Sequence, residues 1–357
     1  MTDGPQHSAF PPAGTAAPNP NPAAPPRRGG RVLTVLGAIL LILSMAANIV
    51  LVLAVLVLGS MAVLGLMVGA SLGGGMVDDT FLERTVEQGP ASRKIAVVRI
   101  SGLIEDMMVE QVRRQLDRAA RDDAVKAVIL RINSPGGYLT ASDVLYHHIH
   151  TFAQESGKPV VAAMDGVAAS GGYYAACAAE TIVAQRTTVT GSIGIIAQFF
   201  FLGGLMEDKL GIRTVTLKRG QQKDWPNMFA DDMAPEQREY IMTALLDPGY
   251  DQFVDVVAEA RDMDRQQVVD LATGRIYMGP EARENGLVDE IGYFGRAVEI
   301  AREKAGLASA RVVEYVQPFG FMNLLGLSTK TERLLDLGPD TLADLAAPRV
   351  MYLWTGR

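Results

Sequence analysis

The chain has 357 residues, 48% hydrophobic and 20% charged, which is ample for one large core or two modest ones and excludes disorder over most of its length. The formal net charge is −7. Because the first 31 residues hold Arg27, Arg28 and Arg31 against Asp3, the remainder carries 30 basic and 39 acidic residues, a balance that argues against nucleic acid as a partner. Cys177 is the only cysteine, so neither an intramolecular disulfide nor a cysteine-rich zinc site is available.

Residues 1–31 are dominated by Pro, Ala, Gly and Asn, a composition that buries too little apolar surface to offset its ordering entropy, and they read as a disordered tail. From Val32 to Val77 the chain is uncharged. A bilayer core of about 30 Å needs roughly 20 apolar residues, so 32–77 reads as a transmembrane anchor, either one span with an interfacial extension or a tight hairpin. The run is longer than the h-region of a cleavable signal peptide. Arginines precede it and Asp78, Asp79 and Glu83 follow it, so the positive-inside tendency puts the N-terminus in the cytoplasm of a single-pass protein and the rest of the chain outside.

Beyond Lys94, short apolar runs alternate with helical patterns. Ile95–Ile104, Ala124–Ile132 and Pro159–Met164 read as buried strands, with helices over Met107–Arg121 and Tyr138–Glu155 between them. That alternation implies an α/β fold with a parallel sheet covered by helices. Thr181–Ala184, Ile193–Ala197 and Arg213–Leu217 are further strand candidates, and Pro235–Leu307 is mostly helical. There is no internal repeat. The expected domains are therefore the tail 1–31, the anchor 32–77, a catalytic domain 78–307 and a C-terminal tail 308–357.

Two Gly-rich clusters carry chemistry. Asn133-Ser134-Pro135-Gly136-Gly137 follows a strand and precedes a helix, and such a turn directs backbone N–H groups outward without a Cβ in the way, as an oxyanion hole requires. Ala168-Ala169-Ser170-Gly171-Gly172-Tyr173-Tyr174 opens an Ala-rich helix, which puts Ser170 at a helix N-terminus, as either an N-cap or a nucleophile. The glycines on its C-terminal side favour the nucleophile. A nucleophilic serine needs a base. Of the four histidines, His7 lies in the tail and His147, His148 and His150 share one helix, where they read as a surface face, and no G-x-S-x-G elbow is present. Lysine remains, since burial disfavours the ammonium and yields a neutral amine. The segment 217–224 offers Lys218 and Lys223.

Asn-Ser-Pro-Gly-Gly, Ala-Ala-Ser-Gly-Gly-Tyr-Tyr, Thr190-Gly191-Ser192-Ile193-Gly194 and Lys218-x-Gly220-x-x-Lys223-Asp224, in this order, resemble the signal peptide peptidase A family of serine peptidases over roughly Lys94–Lys304. The resemblance implies a fold similar to the ClpP and crotonase group, with Ser170 as nucleophile and Lys223 as general base. It also implies oxyanion N–H groups from Gly136 or Gly137 and from Gly171, and Ser192 as the residue that orients the lysine. Gly220, three residues before Lys223, keeps the family spacing and favours Lys223 over Lys218, although Arg219 and the Trp225-Pro226-Asn227-Met228 run depart from the family pattern. The implied substrates are apolar, signal-peptide-like peptides at the membrane, bound as an extended strand. The implied active form is a ring- or bowl-shaped homo-oligomer, with no metal or cofactor.

Overall fold

The computed structural model describes residues 36, 39–57, 59, 81–316 and 349–356. The tail 1–31, much of the apolar run 32–77 and the segment 317–348 lie outside the described residues. The chain divides into two compact units, residues 1–77 and 78–357.

In the first unit α1 (Ile39–Val57) is 19 residues long with a mean hydropathy of 2.9, and all its side chains are exposed. At 1.5 Å per residue it is about 28 Å long, close to the thickness of a bilayer core. It is the one helix among the described residues long and apolar enough to cross a membrane, and its length and composition suit an anchor and a signal sequence alike.

The second unit is an α/β layer structure around a nine-stranded sheet of order β1-β11-β2-β3-β5-β6-β10, in which β7 (Val189–Gly191) joins β5 and β9 (Ile276–Met278) joins β7. β2 (Lys94–Ser101), β3 (Val125–Ser134), β5 (Val160–Ala169), β6 (Thr181–Ala184) and β10 (Glu290–Ile291) run parallel, in register from Val98↔Leu130 and Leu130↔Ala162 outward to Ile291↔Ala184. Alternation with period two makes this sheet two-sided. Ala96, Val98, Val128, Leu130, Ile132, Val160, Ala162 and Met164 point into a core shared with α2 (Asp106–Arg121), α3 (Leu139–Ser156) and α4 (Gly171–Ala176). Ile95, Val97, Ala127, Ile129, Val161 and Ala163 face the opposite way, onto α9 (Phe294–Lys304). The predicted strands and both predicted helices agree with β2, β3, β5, α2 and α3 to within a few residues, except that β5 runs on to Ala169.

Three segments depart from expectation. Arg311–Val316, assigned by sequence to the tail beyond residue 307, is β11 and inserts between antiparallel β1 (Leu82–Glu87) and parallel β2. Its alternation is only six residues long, and its partners lie more than 200 residues away, so local pattern carried little signal. Arg213–Leu217, read as a strand, is irregular and exposed, with Val215 at 82% and Leu217 at 93% of full accessibility. Ile193–Ala197 contributes only its end to β8 (Ile196–Gln198), which belongs to a second, three-stranded sheet β4-β12-β8 built with β4 (Gly136–Tyr138) and β12 (Arg349–Leu353).

Candidate active site

The site forms where the parallel strands end, the usual position for ligands in such sheets. β3 ends in the Asn-Ser-Pro-Gly-Gly turn and β5 ends at Ala169, directly before Ser170. Between Ile132↔Met164 and Ser134↔Ala168 the register slips by two residues, so Asp165–Val167 bulge and carry the end of β5 beside the turn. The turn is fixed by Ser134, fully buried, whose Oγ donates to the Gly102 carbonyl at 2.6 Å and accepts from the Gly136 amide at 3.1 Å. Gly136 has φ 102°, a conformation open to glycine but costly for other residues. A Cβ there would fall 2.0 Å from the Tyr352 carbonyl oxygen and 2.7 Å from the Gly171 nitrogen. Gly137 is equally tight, its missing Cβ 2.1 Å from the Ile104 oxygen.

Ser170 sits at φ 53°, ψ −120°, between β5 and α4. Its amide donates to the Gly191 carbonyl at 2.8 Å and its carbonyl accepts from the Tyr174 amide at 2.8 Å, so the main chain is pinned from both sides while the side chain is held in a turn that non-glycine residues seldom adopt. Its Oγ is buried and has no hydrogen-bond partner among the described residues. Such a hydroxyl costs stability unless a ligand or a second group pairs with it. Ser192 repeats the device at the end of the neighbouring strand β7 (Val189–Gly191): φ is 51°, the residue is buried, and its amide donates to the Arg275 carbonyl at 2.8 Å. Both serines line a cleft of about 720 Å³ whose walls include Ile195, Met242, Leu246 and Tyr250.

Lys223 lies outside that lining, on an exposed turn where its amide donates to the Gly220 carbonyl at 3.3 Å and its ammonium makes no hydrogen bond among the described residues. Lys218 is committed elsewhere: its ammonium donates to Asp224 at 2.5 Å and to the Gln221 carbonyl at 2.9 Å, and the pairing holds the Asp224 carboxyl below its usual range. Thus Ser170, Ser192, Gly136, Gly137 and Gly171 converge, and neither lysine joins them in the single protomer. The three helix histidines lie on α3 outside the cleft lining, and the described residues contain no group of three His, Cys, Asp or Glu that could hold a metal.

Residues 152–308, which include Ser170, Ser192 and Lys223, match the family model described as peptidase family S49. The chain is 37% identical over 250 residues to a protein of Enterococcus faecium that carries the provisional name signal peptide peptidase SppA, covering 65% of this chain and 70% of that one. The chain belongs to peptidase family S49. Protease 4 of Haemophilus influenzae is 36% identical over 247 residues, 67% of this chain, and serine protease SPPA of Arabidopsis thaliana chloroplasts is 36% identical over 217 residues, 61% of it. The match spans only 39% and 31% of those two longer relatives.

Two features of this S49 peptidase site left no mark in the sequence reading. Ser142, on α3, is fully buried with its Oγ unpartnered among the described residues, and that oxygen lies 2.4 Å from where a Cβ on Gly171 would be. Any buried helix serine looks the same in sequence. Behind the serine, Tyr174 is held by Asp143, which accepts from its hydroxyl at 3.0 Å, and by Gln252, which donates to it at 3.0 Å and to Asp143 at 2.6 Å. Burial, with Asp143 next, raises the Tyr174 phenol well above its ordinary pKa and keeps it neutral.

Proposed function

We propose that the chain is a membrane-anchored serine peptidase that hydrolyses apolar extended peptides, such as cleaved signal peptides, with Ser170 as nucleophile and Lys223 as general base. The observation that carries the reading is the Ser170 hydroxyl, buried, unpartnered and presented by a strained turn at the mouth of a largely apolar cleft. Neutral Lys223 takes the Ser170 proton as the oxygen attacks the peptide carbonyl. Backbone N–H groups from Gly171 and the 136–137 turn hold the oxyanion, the leaving amine takes the proton, and water then hydrolyses the acyl-enzyme. Since the Gly136 amide already donates to Ser134, Gly137 is the donor from that turn.

A lysine acts as a base only when its ammonium loses hydration. In the isolated protomer Lys223 is solvated, and the segment that carries it exposes Leu205, Leu210, Ile212, Val215 and Leu217. The active form is a homo-oligomer in which this apolar segment packs on a neighbouring copy and Lys223 enters a serine site, with Ser192 accepting its hydrogen bond. α1 serves as the uncleaved anchor that keeps the site near membrane-derived peptides.

Hydrolysis of a fluorogenic apolar peptide by the full chain, compared with Ser170→Ala, Lys223→Ala and Lys218→Ala, tests the reading. Activity is expected to vanish in the first two with oligomer size unchanged and to persist in the third. Activity surviving Ser170→Ala, or a fully active monomer, overturns it.

A further inference from the structure

Every side chain of α1 is exposed, and between Ile39 and Val57 the only side-chain N–H donor is Asn48. Asn48 is the tenth of the nineteen residues, so it stands about 14 Å from either end of the helix, at mid-depth when α1 spans a bilayer. One amide N–H is used locally, since Asn48 Nδ2 donates to the Ser44 carbonyl at 2.8 Å. The second N–H and Oδ1 have no partner among the described residues. In hydrocarbon no water takes that role, and an unmet amide at mid-span is costly.

The surface around Asn48 has the form of a helix-packing seam. Leu41, Met45, Asn48, Val52 and Val55 alternate spacings of four and three, the pattern by which helices interlock as knobs into holes. Met45, Asn48 and Val52 also line a shallow groove of about 270 Å³ that Ile49 and Leu53 complete. An apolar groove accepts any apolar chain, but the amide narrows the choice. It carries both a donor and an acceptor, so it is complementary to a copy of itself. Copies inserted with the same orientation bring Asn48 to the same depth, where one amide meets the other without any adjustment of register.

We propose that α1 is an assembly element as well as a tether: it packs in parallel on α1 of a second copy of this chain along Leu41, Met45, Asn48, Val52 and Val55, with the Asn48 amides hydrogen-bonded to each other across the contact. The inference rests on the reading of α1 as an uncleaved anchor and deepens it by naming the surface and its occupant. A single polar residue in such a seam fixes the register and the number of helices. Interhelical amide bonds in lipid supply an attraction that apolar side chains, already surrounded by equally apolar lipid, do not. Paired anchors also hold the catalytic units of neighbouring copies at a high effective concentration, as the assembly-dependent role of Lys223 requires.

Disulfide trapping of the full chain in membranes tests this. Cys177 is buried, so one introduced cysteine supplies the reactive thiol, and the unsubstituted chain is the blank. Met45→Cys, Val52→Cys and Val55→Cys, on the seam, are expected to give covalent dimer in at least about fivefold higher yield than Leu43→Cys, Ala46→Cys and Val50→Cys on the far side of the helix. Adding Asn48→Leu, which keeps the helix apolar, should erase the difference between the faces, and Asn48→Gln should preserve it. Equal yields on the two faces overturn the inference, because anchors brought together by collision or by the catalytic units alone have no preferred face. A difference that survives Asn48→Leu overturns it too, as does the absence of dimer at every position, which leaves the amide to be met within its own chain. The intact mass of the membrane-bound protein separates these failures from that of the anchor reading: a mature chain lacking residues 39–57 sinks both, whereas a chain that retains them keeps the anchor whatever the cross-linking shows.

Discussion

Gly171→Ala is the most informative single perturbation of the nucleophile turn, because its effect is set by one atom. The new Cβ would lie 2.4 Å from Ser142 Oγ, and the next neighbours, the Tyr352 oxygen and Gly136 Cα, stand at 3.1 and 3.2 Å. Relief demands a movement of about 1 Å, and overpacking of this kind costs about 1–3 kcal/mol. In the proposed mechanism Gly171 also follows the nucleophile and offers its amide to the oxyanion, so a displacement of that size lowers kcat/KM by about 10²-fold. Ser142→Ala removes the closest atom and deletes a buried hydroxyl that has no partner, so by itself it is neutral or stabilises by about 1 kcal/mol. In the double variant the two contacts beyond 3 Å remain and recovery is partial, about tenfold in kcat/KM, a coupling of about 1.4 kcal/mol. The assay is peptide hydrolysis with thermal unfolding on the four proteins of the cycle. Additivity in both kcat/KM and Tm would show that Ser142 Oγ does not set the cost of a Cβ at position 171.

Ser170→Gly should abolish activity yet raise stability by about 1 kcal/mol, a few degrees in Tm by calorimetry, because glycine accepts φ 53° without strain and the orphan hydroxyl is gone. Cys177 is fully enclosed and burial pushes its thiol up to about 12, so at pH 8 it should resist a maleimide in the native protein and react at once in denaturant. Hydrogen bonds from Arg113 and Arg114 lower Glu110 from 4.5 to about 2. The pKa is depressed in the folded state, so the contribution of Glu110 to α2 is complete above pH 4.5 and is lost as pH falls toward 2. Since Glu110 is 43% exposed, the gap in Tm between the parent and Glu110→Gln should correspond to no more than about 1 kcal/mol at pH 7 and close by pH 2.

The parts of the fold legible in sequence are those whose signal is local. β2, β3 and β5 are runs of eight to ten residues buried on both faces, and α2 and α3 are long enough for helical periodicity to show. β8, β11 and β12 are three to six residues long and owe their existence to partners far away in the chain, which no window detects. Arg213–Leu217 illustrates the converse. Its alternating apolar residues state a need for burial but not which surface meets it, and within one protomer Leu217 stays 93% exposed. At the site, Ser170 could be found from the glycines around it, whereas the shared backbone strain of Ser170 and Ser192, the close approach of Ser142 Oγ to Gly171 and the pairing of β12 with β4 and β8 are properties of the assembled chain.

Where Gly136, Gly137 and Gly172 meet the backbones of Tyr352, Ile104 and Ser134, there is no room for a single added carbon. The seat proposed for the reacting oxygen is thus cast from main chain, which no ordinary substitution can recolour. Side chains around it decide which peptides enter and how long they stay; the seat itself is outside their reach. An inhibitor that takes its affinity from those amides would leave the enzyme few residues to exchange in escaping it.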